Sequence, residues 1–244
     1  MKVSTAAGLE RWYNNFFASE SNVHNFIAQD PVQFPRRYVK HADVEIAAFL
    51  SATIAWGRRD LIIRSAERMF ALMEGGPSAF VMNGNYSKLK NACVHRTFFE
   101  DDLRYFCAGF RHCYTKYGSL EKLFSATPDI WDSMVLFREE MAAANRGCFS
   151  KHIANAGAGS ACKRLNLALR WLVRPGPVDL HLWKKLSPAQ LFIPLDVHVG
   201  RTARRLGLLT RKSNDCTAVV EITEKLREVC REDPVKYDFA LFGM

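Results

Sequence analysis

Long apolar runs are missing from this sequence: none reaches the roughly 20 residues that span a bilayer. The best candidate, Val44 to Trp56, is interrupted by Glu45, Ser51 and Thr53. The opening MKVSTAAGLERWYNNFF has no apolar h-region and no small-residue cleavage site, so no export signal is expected. The seven cysteines are odd in number and form no CxxC pair; the closest two are Cys107 and Cys113. That pattern excludes a disulfide framework and speaks against a zinc or iron–sulfur centre, so free thiols in a reducing cytoplasm and no metal or cofactor are expected. Alternating strand patterns are all but absent. What is present, 244 residues with 48% hydrophobic and 24% charged, excludes intrinsic disorder and suits one large or two closely packed domains.

Acids are scarce in one place. Residues 151–212 hold 12 Lys/Arg and only Asp179 and Asp196, whereas residues 213–244 hold 4 basic and 7 acidic residues. The net charge of +9 therefore originates in one stretch. A polyanion, most simply nucleic acid, is the natural partner; the alternative is a solvated basic face.

The apolar spacing is helical nearly everywhere. Helices are expected over 9–18, 42–56 (with Asp43 as cap), 60–73, 101–117, 119–124, 129–145, 162–173, 187–192, 197–206, 215–230 and 235–242. Gly75-Gly76-Pro77, Gly118, Pro175-Gly176-Pro177 and Gly207 supply the stops. The fold class is all-α.

Three segments can carry chemistry. In Gly157-Ala158-Gly159-Ser160-Ala161-Cys162-Lys163-Arg164, glycines before a helix let backbone N–H groups reach a phosphate. Lys163 opens that helix, with Asn166, Arg170 and Arg174 on a polar side and Leu165, Leu169 and Leu172 on an apolar one. Taken alone, Lys163 reads as a surface lysine rather than a functional one. Ile193-Pro194-Leu195-Asp196 places Asp196 at a helix start, as a functional carboxylate or simply an N-cap. Arg201, Arg204 and Arg205 follow as a basic stripe able to track phosphates, or as a solvated face. His198 reads as structural. Trp56-Gly57-Arg58-Arg59 puts an aromatic and two arginines at a turn between helices, suited to lining a base pocket or filling a gap in a duplex, or to a core tryptophan at a helix end.

The segment LDVHVGRTARRLGL resembles the Asp-bearing segment of the helix-hairpin-helix DNA glycosylases, the superfamily of endonuclease III and the 8-oxoguanine glycosylases. CKRLNLALRW, IPLDVHV and DPVKYDFALFGM resemble more closely a largely uncharacterised bacterial family within it. The resemblance implies two lobes with a cleft between them, residues 1–40 with 151–244 in one and 41–150 in the other. By position it makes Lys163 the amine nucleophile and Asp196 the essential carboxylate. With it, the residues read above become candidate contacts to double-stranded DNA (Gly157, Gly159, Ser160, Arg164, Arg170, Arg201, Arg204 and Arg205), and Trp56, Arg58 and Arg59 candidates for the base pocket or the gap. A monomeric repair glycosylase, with or without abasic-site lyase activity, is the implied function. A glycosylase-like protein that only binds nucleic acid is the alternative. Lys163 lies four residues after Gly159, where the usual hairpin has two, and 33 before Asp196.

Overall fold

The computed structural model describes residues 3–244 and is 62% helix and 3% strand, an all-α protein. No helix among the described residues is long and apolar enough to cross a membrane. The chain divides into two units: the described residues up to Phe26 with Asn155–Met244, and Ile27–Ala154.

The second unit holds α3 (His41–Thr53), α4 (Arg59–Ala71), α5 (Pro77–Met82), α6 (Glu100–Tyr117), α7 (Leu120–Phe124) and α8 (Ile130–Ala143). Helix α3 is buried on nearly every side, as its lack of a polar face dictates. Phe49 on α3 packs its ring against Phe110, Phe124 and Phe137 at 5.2–6.3 Å. The two acids of α3 serve other helices. Glu45 accepts from the backbone N–H groups of Leu120 (3.2 Å) and Glu121 (2.9 Å), where α7 begins. Asp43 does not cap its own helix, whose N-cap is Lys40. Its Oδ1 accepts from Ser78 N at 2.6 Å, in the first turn of α5 behind Gly76, whose φ of 98° suits glycine. Asp43→Ala is expected to cost about 1–2 kcal/mol, read as a shift in urea midpoint with unchanged slope, because a buried N–H loses its acceptor.

Two elements escape the periodicity. Cys93–His95 and Phe98–Phe99 form a two-stranded antiparallel hairpin too short to show alternation. Helix α2 (Glu20–Gln29) is rich in Ser, Asn and His and buries only Val23, so it has no apolar stripe to read. The boundary between the units falls inside it.

The other unit is built from both chain ends: α1 (Val3–Phe17), α9 (Lys163–Val173), α10 (Val197–Arg205), α11 (Cys216–Arg227) and α12 (Asp238–Gly243). Phe239 of α12 receives the rings of Phe16, Phe17 and Phe26 at 5.1–6.3 Å, docking α1 on the C-terminal helix. Residues 187–192 hold only a 3-10 turn, Pro188–Gln190, and residues 235–242 split into a 3-10 turn, Pro234–Tyr237, and α12. All seven cysteines are free thiols.

Candidate active site

Lys163 is the first residue of α9. The chain reaches it through a 3-10 turn, Ala156–Ala158, in place of a full first hairpin helix. Asn155 Oδ1 accepts from Ala158 N, and Ser160 N donates back to Asn155 O, closing the turn. Gly159 adopts φ 80°, which a residue with a Cβ strains to reach, and its carbonyl accepts from Cys216 N at 3.0 Å. Ser160 forms an antiparallel bridge with Asp215, and its hydroxyl accepts from Cys162 N. Gly157 stays exposed at the apex. The hairpin is thus pinned to the start of α11.

Asp196 is the N-cap of α10, its Oδ1 accepting from Val199 N at 2.9 Å. Its backbone carbonyl accepts from Asn214 Nδ2 at 3.0 Å. The remaining carboxylate oxygen, Oδ2, lies 4.0 Å from Lys163 Nζ, with the two side chains 29% and 24% exposed. Two helix starts 33 residues apart therefore meet, and both groups keep solvent access. Capping and pairing with Lys163 are compatible for one carboxylate because each oxygen serves one of them.

The polar side of α9 is not a solvent face. Asn166, Arg170 and Arg174 are all buried, Asn166 donating to the Ala161 carbonyl and the two arginines lying against acids to which no sequence motif assigns a role. Arg170 donates from Nε to Asp179 Oδ1 (3.3 Å) and from Nη1 to Asp238 Oδ2. Arg174 donates to Asp179 Oδ2 (2.9 Å), Asp233 (2.9 Å) and the Tyr13 hydroxyl (2.6 Å). Burial works against the Arg174 charge, but Asp179 and Asp233 outweigh it and its pKa rises. Burial likewise raises the Asp233 carboxyl, offset by Arg174. Arg170, expected at DNA, is 3% exposed and holds the core instead. The only hint in the sequence was an acidic tail following a basic stretch, which names no pairs.

Arg204 is also committed elsewhere. Its guanidinium donates to the carbonyls of Arg211, Lys212 and Ser213 and to Asn214 Oδ1. It thereby holds the loop whose Asn214 holds Asp196. Arg205 is exposed and donates to the Met244 carbonyl, while Arg201 is exposed on the same helix. Arg164 is half-buried, and burial lowers its pKa. The local excess of positive charge is therefore partly spent inside the fold.

Trp56, Arg58 and Arg59 belong to the Ile27–Ala154 unit. Trp56 is half-buried between two imidazoles, His95 edge-on at 4.7 Å and His152 stacked at 5.7 Å. Its carbonyl accepts from His95 Nε2, and burial depresses the His95 pKa. His152 in turn reaches the Thr97 carbonyl at 3.1 Å and Asp102 at 3.5 Å. Arg58 donates twice to Asp60 on the surface, and Arg59 opens α4. Among the described residues no cluster of three or more His, Cys, Asp or Glu is arranged to hold a metal ion.

The model of one family, described as a protein of unknown function (DUF2400), matches residues 30–244. No curated protein and no solved structure matches the chain. That match spans the α3–α8 unit and the whole Lys163–Asp196 region, and on this ground the chain belongs to the DUF2400 family.

Proposed function

We propose that this protein is a DNA repair glycosylase with abasic-site lyase activity, acting as a cytoplasmic monomer on a modified base in duplex DNA. The observation that carries the reading is the approach of Lys163 Nζ to Asp196 Oδ2, 4.0 Å, at two helix starts with solvent access. The resemblance of the segments around both residues to the helix-hairpin-helix glycosylases supports it.

The pair suits cleavage of an N-glycosidic bond. The amine of Lys163, once neutral, attacks the anomeric carbon, and the bond electrons leave with the base, which takes up a proton. Positive charge develops on the sugar and is stabilised by the Asp196 carboxylate. Loss of a further proton from the lysine nitrogen and opening of the sugar ring give a Schiff base. Extruding the base from the stack costs a few kcal/mol, least for a damaged base. In the Ile27–Ala154 unit, Trp56 is held by two histidines yet half-exposed, an aromatic face of the kind on which a base stacks. Gly157, exposed at the apex of the hairpin, offers its backbone N–H to a phosphate, whereas those of Gly159 and Ser160 are spent within the turn on Ala156 and Asn155; Arg201 and Arg205 are the outward cations, and Arg164 is half-buried.

Borohydride reduction of the protein mixed with an abasic-site or lesion-bearing duplex tests the reading. A stable protein–DNA adduct is expected. A protein that binds duplex but forms no adduct and releases no base is a nucleic-acid binder instead.

Duplex affinity should fall steeply with salt, because bound Lys and Arg displace condensed counterions. Arg201→Ala should weaken binding on every sequence and reduce the slope of log affinity against log salt by about one. Arg204→Ala should act differently, loosening the 211–214 loop and lowering turnover more than affinity. Equal slopes for Arg201→Ala and the unaltered protein would remove Arg201 from the interface.

A further inference from the structure

We infer that the Cys93–Phe99 hairpin is a second nucleic-acid contact of this protein, with Arg96 at its turn binding the backbone phosphate of the nucleotide whose base lies against Trp56. The inference rests on the reading of the chain as a DNA-binding protein, though not on the chemistry of Lys163. It gives a role to a residue that no motif in the sequence points to. Every group it needs belongs to the Ile27–Ala154 unit.

Hydrogen bonds staple the hairpin to the surroundings of Trp56. The Val94 carbonyl accepts from Arg68 Nη2 of α4 at 3.2 Å. The His95 ring, 2% exposed, uses both nitrogens, Nδ1 with Ser65 Oγ at 3.0 Å and Nε2 with the Trp56 carbonyl at 2.9 Å. The Thr97 carbonyl accepts from His152 Nε2, and the His152 ring stacks on Trp56. Residues 94, 95 and 97 are thus tied down, while Arg96 between them is exposed. Its φ of 54° lies in the left-handed region that few residues with a Cβ adopt, and Cys93 Sγ donates to its carbonyl at 3.5 Å to close the turn.

The side chain of Arg96 has a seat. A Cβ on Gly57 would stand 2.4 Å from Arg96 Nη1, a clash, so the guanidinium lies over bare backbone one residue from Trp56. Gly57 itself takes φ 96°, which glycine reaches without strain. The neighbouring cations are engaged. Arg58 and Arg64 share Asp60, Arg104 pairs with Asp101, and Arg68 donates to the hairpin. Among the described residues no carboxylate pairs with Arg96. Holding a long side chain in one place costs rotamer entropy, and no ion pair within the fold offsets it here. A cation placed in advance lowers the ordering cost of binding an anion from outside.

The aromatic ring beside the cation favours a nucleotide over an acidic peptide. A nucleotide brings a phosphate for the guanidinium and a π-face for the half-exposed indole. Cations along the backbone with aromatic rings under the bases are a general, sequence-tolerant way of gripping a strand. Arginine contacts to phosphate fix position along the strand without reading it.

Fluorescence anisotropy of a labelled abasic-site duplex, titrated with the whole protein over a range of salt, tests the inference. Arg96→Ala should lower affinity on every sequence and reduce the slope of log affinity against log salt by about one, and Arg96→Lys should keep the slope. Trp56→Ala should lower affinity by about tenfold with the slope unchanged, because a stacked base releases no counterion. The double variant should lose less than the two single losses combined, since both groups grip one nucleotide. Unchanged affinity and slope in Arg96→Ala, with Arg201→Ala still lowering the slope, sinks the hairpin contact and leaves the glycosylase reading standing. No duplex binding by the unaltered protein at low salt sinks both. An equal loss by Arg96→Ala on polyglutamate, with Trp56→Ala silent on DNA, makes the hairpin a surface for acidic protein and overturns the inference. Should Trp56→Ala fail to fold, the slope of Arg96→Ala, altered at an exposed position, still decides.

Discussion

Lys163→Gln is expected to abolish the borohydride-trapped adduct with an abasic-site duplex and to leave duplex affinity within about twofold, since one phosphate contact among many changes affinity little. Glutamine matches much of the lysine stem and keeps a polar head, but its amide nitrogen cannot form a Schiff base. The expected loss is total, because the proposed nucleophile is the Lys163 amine, 4.0 Å from Asp196. Gel mobility of labelled DNA after reduction reads it directly. Adduct persisting in Lys163→Gln would move the nucleophile elsewhere and leave Lys163 as a phosphate contact. The companion change, Asp196→Asn, should cut base release by a factor of about a hundred or more without unfolding the protein, because asparagine still caps α10 through Val199 N. A collapse in stability with no separate effect on turnover would assign Asp196 to capping only.

The second large effect concerns stability. Asp179→Ala should destabilise the protein by about 3–5 kcal/mol, a large part of the 5–15 kcal/mol that ordinarily separates folded from unfolded chains. Asp179 is buried, and each of its oxygens accepts from a different buried arginine, Arg170 at 3.3 Å and Arg174 at 2.9 Å. Removing it takes one of two carboxylate partners from each of two buried guanidiniums. Asp238 and Asp233 then each face an arginine alone. Urea unfolding of Asp179→Ala checks the figure. A loss under about 1 kcal/mol would mean that the two arginines reach solvent once the acid is gone. Asp179→Asn should lie between, since the amide oxygen still accepts one hydrogen bond.

On the proposed reading the two effects separate the roles of one helix: Lys163, at the start of α9, is the residue for chemistry, whereas Arg170 and Arg174, two and three turns on, are buried against Asp179, Asp233 and Asp238 and serve the fold.

The sequence by itself determined the helical class, most helix positions and the helix starts at Lys163 and Asp196. Those features follow from local spacing, from Gly and Pro stops and from capping residues, which act over a few neighbours. It also singled out Trp56, though not the two histidines that grip it. Only the tertiary structure decided which charges are available. Arg170 and Arg174 read as an outward face because a 3.6-residue period separates polar from apolar without saying which polar side is buried. Their partners, Asp179, Asp233 and Asp238, lie 5–68 residues away. Asp43 read as a cap for α3 because it precedes an apolar run, yet it caps α5, 35 residues on. Arg204 read as a phosphate contact and instead holds the loop behind Asp196. In each case the deciding interaction is a hydrogen bond or ion pair outside the helix that carries the residue, and desolvation, which selects the partners, exists only once the chain has folded around them.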